Sequence, residues 1–225
     1  MEQSFIFLFA SVGTTLTWAM LAWLRRRARR ERWRGRTVTQ LAHASEGEIL
    51  VVGRARSPGP LLCAPLTGRR CLAYQVRVFQ TESESTTEIK REARCLDFTL
   101  EDETGTALVR VASHDGAVDA DLELAVTLSG TVGRSTKAPA PATAAFLAAH
   151  GLKVSFWTGY SIEEAVLEEG APAAVFGRAR RVPDPDPASA DHYREAPTRL
   201  AIEGAGKPLW ISVDLSVVPR ARPRE

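Results

Sequence analysis

Ser4 to Leu24 (SFIFLFASVGTTLTWAMLAWL) runs 21 residues without a charged side chain, and no other stretch limits the fold as sharply. At about 1.5 Å of rise per residue, a helix of that length reaches roughly 31 Å, the hydrocarbon thickness of a bilayer. Its apolar residues go all round the helix instead of down one face, so it reads as a spanning anchor and not as a surface helix of a soluble core. A cleaved signal peptide would need a basic start and a small-residue cleavage site, whereas Met1-Glu2-Gln3 is acidic and Leu24 runs straight into arginines. Eight arginines crowd the twelve residues Arg25–Arg36. The positive-inside bias places them, with everything that follows, on the cytoplasmic side and the N-terminus outside. Arg25, Arg26, Arg27, Arg29 and Arg30 are the expected contacts to anionic headgroups, at about 1 kcal/mol per well-placed charge. Gly13 and Thr17 stand at small-xxx-small spacing, which suits a homodimer.

The formal charge is +2; Arg25–Arg36 with Glu31 contributes +7 and leaves −5 for the remainder. The basicity is therefore confined to the membrane-proximal stretch, which argues against a nucleic-acid partner. Cys63, Cys71 and Cys95 are odd in number and lack C-x-x-C spacing, as suits a reducing compartment rather than a disulfide scaffold.

The chain divides into an anchor (1–24), an arginine-rich linker (25–45), a folded domain (46–216) and a charged tail (217–225). Glu48–Ala55 is rich in β-branched residues and is closed by Ser57-Pro58-Gly59-Pro60, a strand and a turn. Alternation continues over Arg70–Phe79, then over Leu96, Phe98 and Leu100, and again over Ala107, Val109 and Val111, so consecutive antiparallel strands are expected. His114–Leu122 reads as a loop and Glu123–Val132 as a strand. A helix is predicted after Pro141, ending at Gly151, and a second over Ser161–Glu169, with Ser161 as N-cap and Glu164 three residues on. Ala173–Val182 is a further strand, Pro183–Pro187 a stiff loop, and Leu200–Glu203 with Leu209–Leu215 a last hairpin.

Val51-Val52-Gly53-Arg54-Ala55-Arg56 recurs as Val175-Phe176-Gly177-Arg178-Ala179-Arg180. A glycine inside a strand pattern marks a bulge, or a bend where a sheet turns a corner. Two such strands, one early and one late, predict a sheet that closes on itself. The expected fold is mainly β: a small antiparallel OB-like barrel with one or two helices inserted between Ala138 and Glu169.

In the order Val51–Ala55, Ala64-Pro65-Leu66-Thr67-Gly68-Arg69-Arg70-Cys71-Leu72-Ala73-Tyr74, Phe98–Gly105, and Tyr160–Glu164 leading to Gly170 and Val175–Gly177, the chain resembles the GIDE, or BAM (beside-a-membrane), domain. The resemblance spans roughly Glu46 to Leu215. It implies a barrel held against a bilayer that acts as a binding or adaptor module for a protein partner or a small ligand. The mitochondrial members of that family are E3 ubiquitin ligases with a second spanning helix and a RING finger. Their likeness implies ubiquitin-transfer chemistry, or a barrel outside the cytoplasm, as alternatives. A RING needs eight Cys or His ligands for its two zinc ions. Three cysteines and four histidines do not supply them, so no metal, cofactor or catalytic residue is expected here.

Other clusters read as ordinary structure. Cys71 beside Arg69 and Arg70 has the surroundings of an activated thiol, but a small buried residue at a strand start is the plainer account. His43, His114, His150 and His192 fall in linkers and loops, as solvated histidines. Asp97, Glu101, Asp102 and Glu103 gather around one hairpin and read as its wet face. Arg54, Arg56, Arg69, Arg70, Arg178, Arg180 and Arg181 would meet at one end of the barrel if the echoed strands lie side by side. Of these, Arg54, Arg69, Arg70, Arg178 and Arg180 are the expected partner-binding residues.

Overall fold

A computed structural model describes residues 31, 33–82, 85–111, 113–114, 117–118, 120–132, 139–153, 159–184, 198–204 and 208–219. The predicted anchor over 4–24, Arg25, Arg26, Arg27, Arg29 and Arg30, His192 and the tail from 220 lie outside the described residues. Among the described residues no helix is long and apolar enough to cross a membrane. The chain divides into two compact units, Val38–Leu215 and a smaller one of Met1–Thr37 with Ser216–Glu225. In the smaller unit Glu31 and Trp33 are helical, and Gly35, at φ 76°, turns the backbone through the left-handed region that glycine tolerates at a helix end.

Among its described residues the larger unit carries fifteen strands. In chain order they are β1 (Gly47–Arg56), β2 (Leu62–Cys63), β3 (Arg70–Cys71), β4 (Ala73–Glu82), β5 (Ser85–Cys95), β6 (Phe98–Glu101), β7 (Thr106–Arg110) and β8 (Ser113–His114). They continue as β9 (Ala117–Val118), β10 (Ala120–Glu123), β11 (Ala125–Val132), β12 (Tyr160–Leu167), β13 (Pro172–Pro183), β14 (Thr198–Glu203) and β15 (Leu209–Ser212). The helix α1 (Pro141–Ala149) has its proline in the first turn, where the missing N–H costs no hydrogen bond.

β1, β6, β7, β14 and β13 pair in that order and β13 returns to β1, which closes a five-stranded barrel. The closure comes from the echoed strands, which lie side by side. Val51 pairs with Val175, the equivalent residue of the other copy, so the two copies are related by a local two-fold through that pair. Each strand changes partner at its Gly-Arg step: Arg54 opens the ladder to Glu101 of β6, and Arg178 opens the ladder to Glu203 of β14. Both glycines stand where chains are pressed together. A Cβ at Gly53 would lie 2.5 Å from the Glu101 carbonyl oxygen, and one at Gly177 would lie 2.9 Å from the Glu203 carbonyl oxygen. These are the corners that the glycine pattern predicted.

The barrel encloses Val51, Phe98, Leu100, Val175, Ile202 and Leu209, each fully shielded from solvent. Burying a side chain of that size contributes about 1.5–3 kcal/mol. Leu41, in a 3-10 turn (Leu41–His43), packs into the same core. The Asp102 carboxylate accepts the Leu41 N–H at 2.8 Å and ties that turn to the β6–β7 corner. The last residues of the predicted linker therefore belong to the barrel unit.

Four expectations are corrected. Ser161–Glu169 is not a helix: β12 runs through it as a central strand between β4 and β11. Its apolar residues Ile162, Ala165, Val166 and Leu167 are buried on both faces, and ladder pairing along both edges outweighs the local helical pattern. The segment read as a loop, His114–Leu122, contains β9 and most of β10. The barrel is not wholly antiparallel, because β7 and β14 run parallel. Leu200–Glu203 and Leu209–Leu215 do not form a hairpin; β14 and β15 follow one another along β13. A second sheet, β11-β12-β4-β5, also stands apart from the barrel and packs Val76, Val78 and Ile162 against Phe146 and Leu147 of α1 in a core of its own.

Candidate functional site

The expected meeting of arginines at one end of the barrel does not occur. The echoed strands are neighbours but antiparallel, so Arg54 faces Pro172 while Arg178 faces Glu48, six residues away along the ladder. At about 3.4 Å per residue the two groups stand roughly 20 Å apart.

At the first end the cations are occupied locally. Arg54 Nη1 donates to the Gly170 carbonyl at 3.2 Å, Arg56 meets Glu101 at 3.3 Å, and Arg69 meets Glu168 at 2.9 Å. Arg70 is exposed on β3, opposite Cys63. These half-exposed pairs are worth under about 1 kcal/mol each and serve to hold turns in place.

The second end differs. Register places Glu48 of β1, Arg178 of β13, Glu203 of β14 and Arg110 of β7 abreast, a ladder of alternating charge across four strands. Glu203 accepts from Arg180 at 2.7 Å and from Arg110 at 3.2 Å, so its carboxylate is fixed by two guanidiniums. Arg178 is exposed between the two glutamates. Two residues back along β13, Phe176 lies beside Trp210 of β15, ring centroids 5.6 Å apart, in the range where aromatic pairs attract beyond their buried area. Phe176 falls between the core residues Val175 and Gly177, and Trp210 between Leu209 and Ile211, so strand alternation turns both rings to the outside of the barrel. Between the charged ladder and Phe176 lies a cavity of about 240 Å³, lined by Glu48, Phe176, Arg178 and Glu203 with Gly47, Gly204 and Pro208.

Sequence reasoning found Arg178 and Arg180 here but missed Glu48, Phe176, Glu203 and Trp210. A partial signal was present: Phe176, Arg178 and Arg180 occupy alternate positions of the echoed strand and so share one face. The glutamates came from other strands, and only the register brings them in.

The remaining candidates are structural. Glu164 is completely buried in β12, where its carboxylate accepts the Leu66 N–H at 2.7 Å, the Thr67 N–H at 3.0 Å and the Thr67 hydroxyl. It shapes the Ala64–Arg69 turn ahead of Cys71. Cys71 itself has no exposed surface, and burial, helped by the nearby Glu164 carboxylate, pushes its thiol up to about 11. Burial, then Asp97, pushes Cys95 up to about 12. Both stay protonated at neutral pH and are poor nucleophiles.

His150 is not a solvated loop residue. Its Nε2 lies 2.9 Å from Glu92, whose other oxygen accepts the Tyr74 hydroxyl at 2.7 Å, so one carboxylate on β5 joins β4 to the end of α1. Burial and that bond raise the Tyr74 phenol further above its usual value. The acidic hairpin is not simply a wet face either. Asp97 accepts the Val111 N–H, and Asp102 accepts from Leu41, Thr104 and Gly105. Burial works against ionisation of Asp102, but these donors outweigh it and hold the carboxyl below its ordinary range. Among the described residues no group of three or more His, Cys, Asp or Glu side chains is placed to hold a metal ion. Comparison with protein-family models, with curated proteins and with solved structures finds no match to this chain.

Proposed function

We infer that this chain is a membrane-anchored binding module, of the kind that its resemblance to the GIDE/BAM domain implies. The 4–24 segment is its anchor, and its OB-like barrel stands on the cytoplasmic side, where it docks a partner polypeptide. The observation that carries this reading is the cavity beside Arg178. At about 240 Å³ it is smaller than the roughly 300–1,000 Å³ of a usual small-molecule site, and it opens on a surface that combines charges of both signs with an aromatic pair. That combination suits one or two side chains of a docked segment, an acidic one against Arg178 and an apolar one against Phe176. Anchoring would raise the module's effective concentration for partners at the same membrane.

The test is crosslinking and affinity capture of the full chain from its native membrane, alongside Arg178→Ala and Arg69→Ala. The expected result is a captured polypeptide that is lost with Arg178→Ala and kept with Arg69→Ala, since Arg69 is tied to Glu168 at the far end of the barrel. Equal capture by all three forms would remove the site assignment.

A further inference from the structure

We propose that the outer edge of β11 pairs antiparallel with β11 of a second copy of this chain, about a two-fold axis at Gly130, and joins the two four-stranded sheets into one. β11 and β5 are the two edges of their sheet. β5 carries Glu88, Lys90, Arg91, Glu92 and Arg94, and β9 lies against it. Such charges are the usual protection of a strand edge against foreign pairing. β11 reads Ala-Val-Thr-Leu-Ser-Gly-Thr-Val: eight residues with no charge and no proline. Its one irregularity, between Val126 and Leu128, leaves Leu128–Val132 in regular register. Among the described residues no strand pairs with its outer side. Val126, ahead of that regular stretch, is 55% exposed.

The sequence of this edge fits itself. With Gly130 opposite Gly130 of the second copy, Leu128 of each copy falls opposite Val132, and Ser129 falls opposite Thr131. Leu128 and Val132 lie on the face that packs against α1, so the apolar pair would extend the existing core across the axis. Ser129 and Thr131 are exposed on the other face and would meet as a hydroxyl pair, a favourable cross-strand combination. A charged partner strand would find no counter-charge on this edge. A second copy brings an equally neutral one, and no like charges meet.

Sedimentation of the full chain in detergent is expected to give a dimer. Ser129→Glu with Thr131→Glu, and separately Ser129→Lys with Thr131→Lys, crowd like charges around the axis, and each should raise the dimer Kd about tenfold or more. Mixing the two double variants one to one should restore the dimer, because every acidic position then faces a basic one. Both positions are exposed, and circular dichroism checks that the variants remain folded. In the unmodified chain, the amides of Leu128–Val132 should exchange faster on dilution below the dimer Kd, while those of β5 do not change. A monomeric unmodified chain, a dimer indifferent to both double variants, a loss that mixing does not reverse, or amide exchange independent of dilution overturns the proposal. Arg178 is untouched throughout, so this result stands apart from partner capture.

Discussion

A single carboxylate separates what neighbours in sequence can show from what only the fold supplies. The spacing of Ser161 and Glu164 matches a helix cap, and that match is what misled. Glu164 instead enters the interior from β12 and takes donors nearly a hundred residues earlier, from Leu66 and Thr67. A carboxyl group with no exposure is costly unless it is hydrogen-bonded, and these donors bond both of its oxygens. Glu164→Gln keeps the volume but presents an NH₂ to one of the two N–H donors and strands it. The expected loss is about 1–3 kcal/mol in urea unfolding, with an unchanged denaturant slope; a change below about 0.5 kcal/mol would mean that the turn satisfies its amides elsewhere. Asp102 divides the same way. Its bonds to Thr104 and Gly105 follow from the Asp-Glu-Thr-Gly turn that the sequence shows. Its bond to Leu41 does not, because that partner approaches only when the barrel has formed.

Elements were legible where β-branched content or sequence alternation was bounded by a turn. β1, β6, β7 and β13 lie over their expected spans, although β1, β7 and β13 each bury a run of consecutive residues and only β6 alternates strictly in burial. β12 defeated the same reading because neither of its faces meets water at its C-terminal end, so period two disappears and a short apolar run remains. The echo was the most informative pattern, and its glycines make a prediction about the corners. At Gly53 the obstacle to a side chain is backbone, the Glu101 carbonyl at 2.5 Å, which can move only with β6. At Gly177 the nearest atom is the Leu209 side-chain methyl, also at 2.5 Å, with the Glu203 carbonyl behind it. Gly53→Ala should therefore cost about 2 kcal/mol or more, and Gly177→Ala somewhat less as Leu209 shifts. Gly59→Ala, where nothing lies within 4 Å, should stay within about 0.5 kcal/mol. Thermal and urea midpoints of the three variants measure this, and equal losses at Gly53 and Gly59 would refute the corner assignment.

For the larger unit as a whole, barrel closure was foreseen from the echo, but neither the parallel β7–β14 seam nor the second sheet was. Both depend on pairings between distant segments, and alternation along one strand does not specify its partner. The two cores nonetheless belong to one compact unit, Val38–Leu215. β12 pairs within the second sheet while its end, Leu167, packs into the barrel core. Opening one core should therefore open the other. Cys71 reports on the second core, having no exposed surface, and the amides of Val51 and Val175 report on the barrel seam. Labelling of Cys71 by a thiol reagent and exchange of those amides should yield the same opening free energy, whereas exposed Cys63 reacts at once. The pH dependence has a definite sign. The Cys71 thiol is raised from its ordinary 9.0 to about 11 in the folded chain, so its contribution is fully present below pH 9 and is lost as pH rises through 11. Tyr74, raised in the same core, acts in the same direction. Both probes should thus report a common weakening between pH 9 and 11; a Cys71 opening energy that falls alone, with Val51 and Val175 still protected, would establish that the second sheet unfolds independently of the barrel.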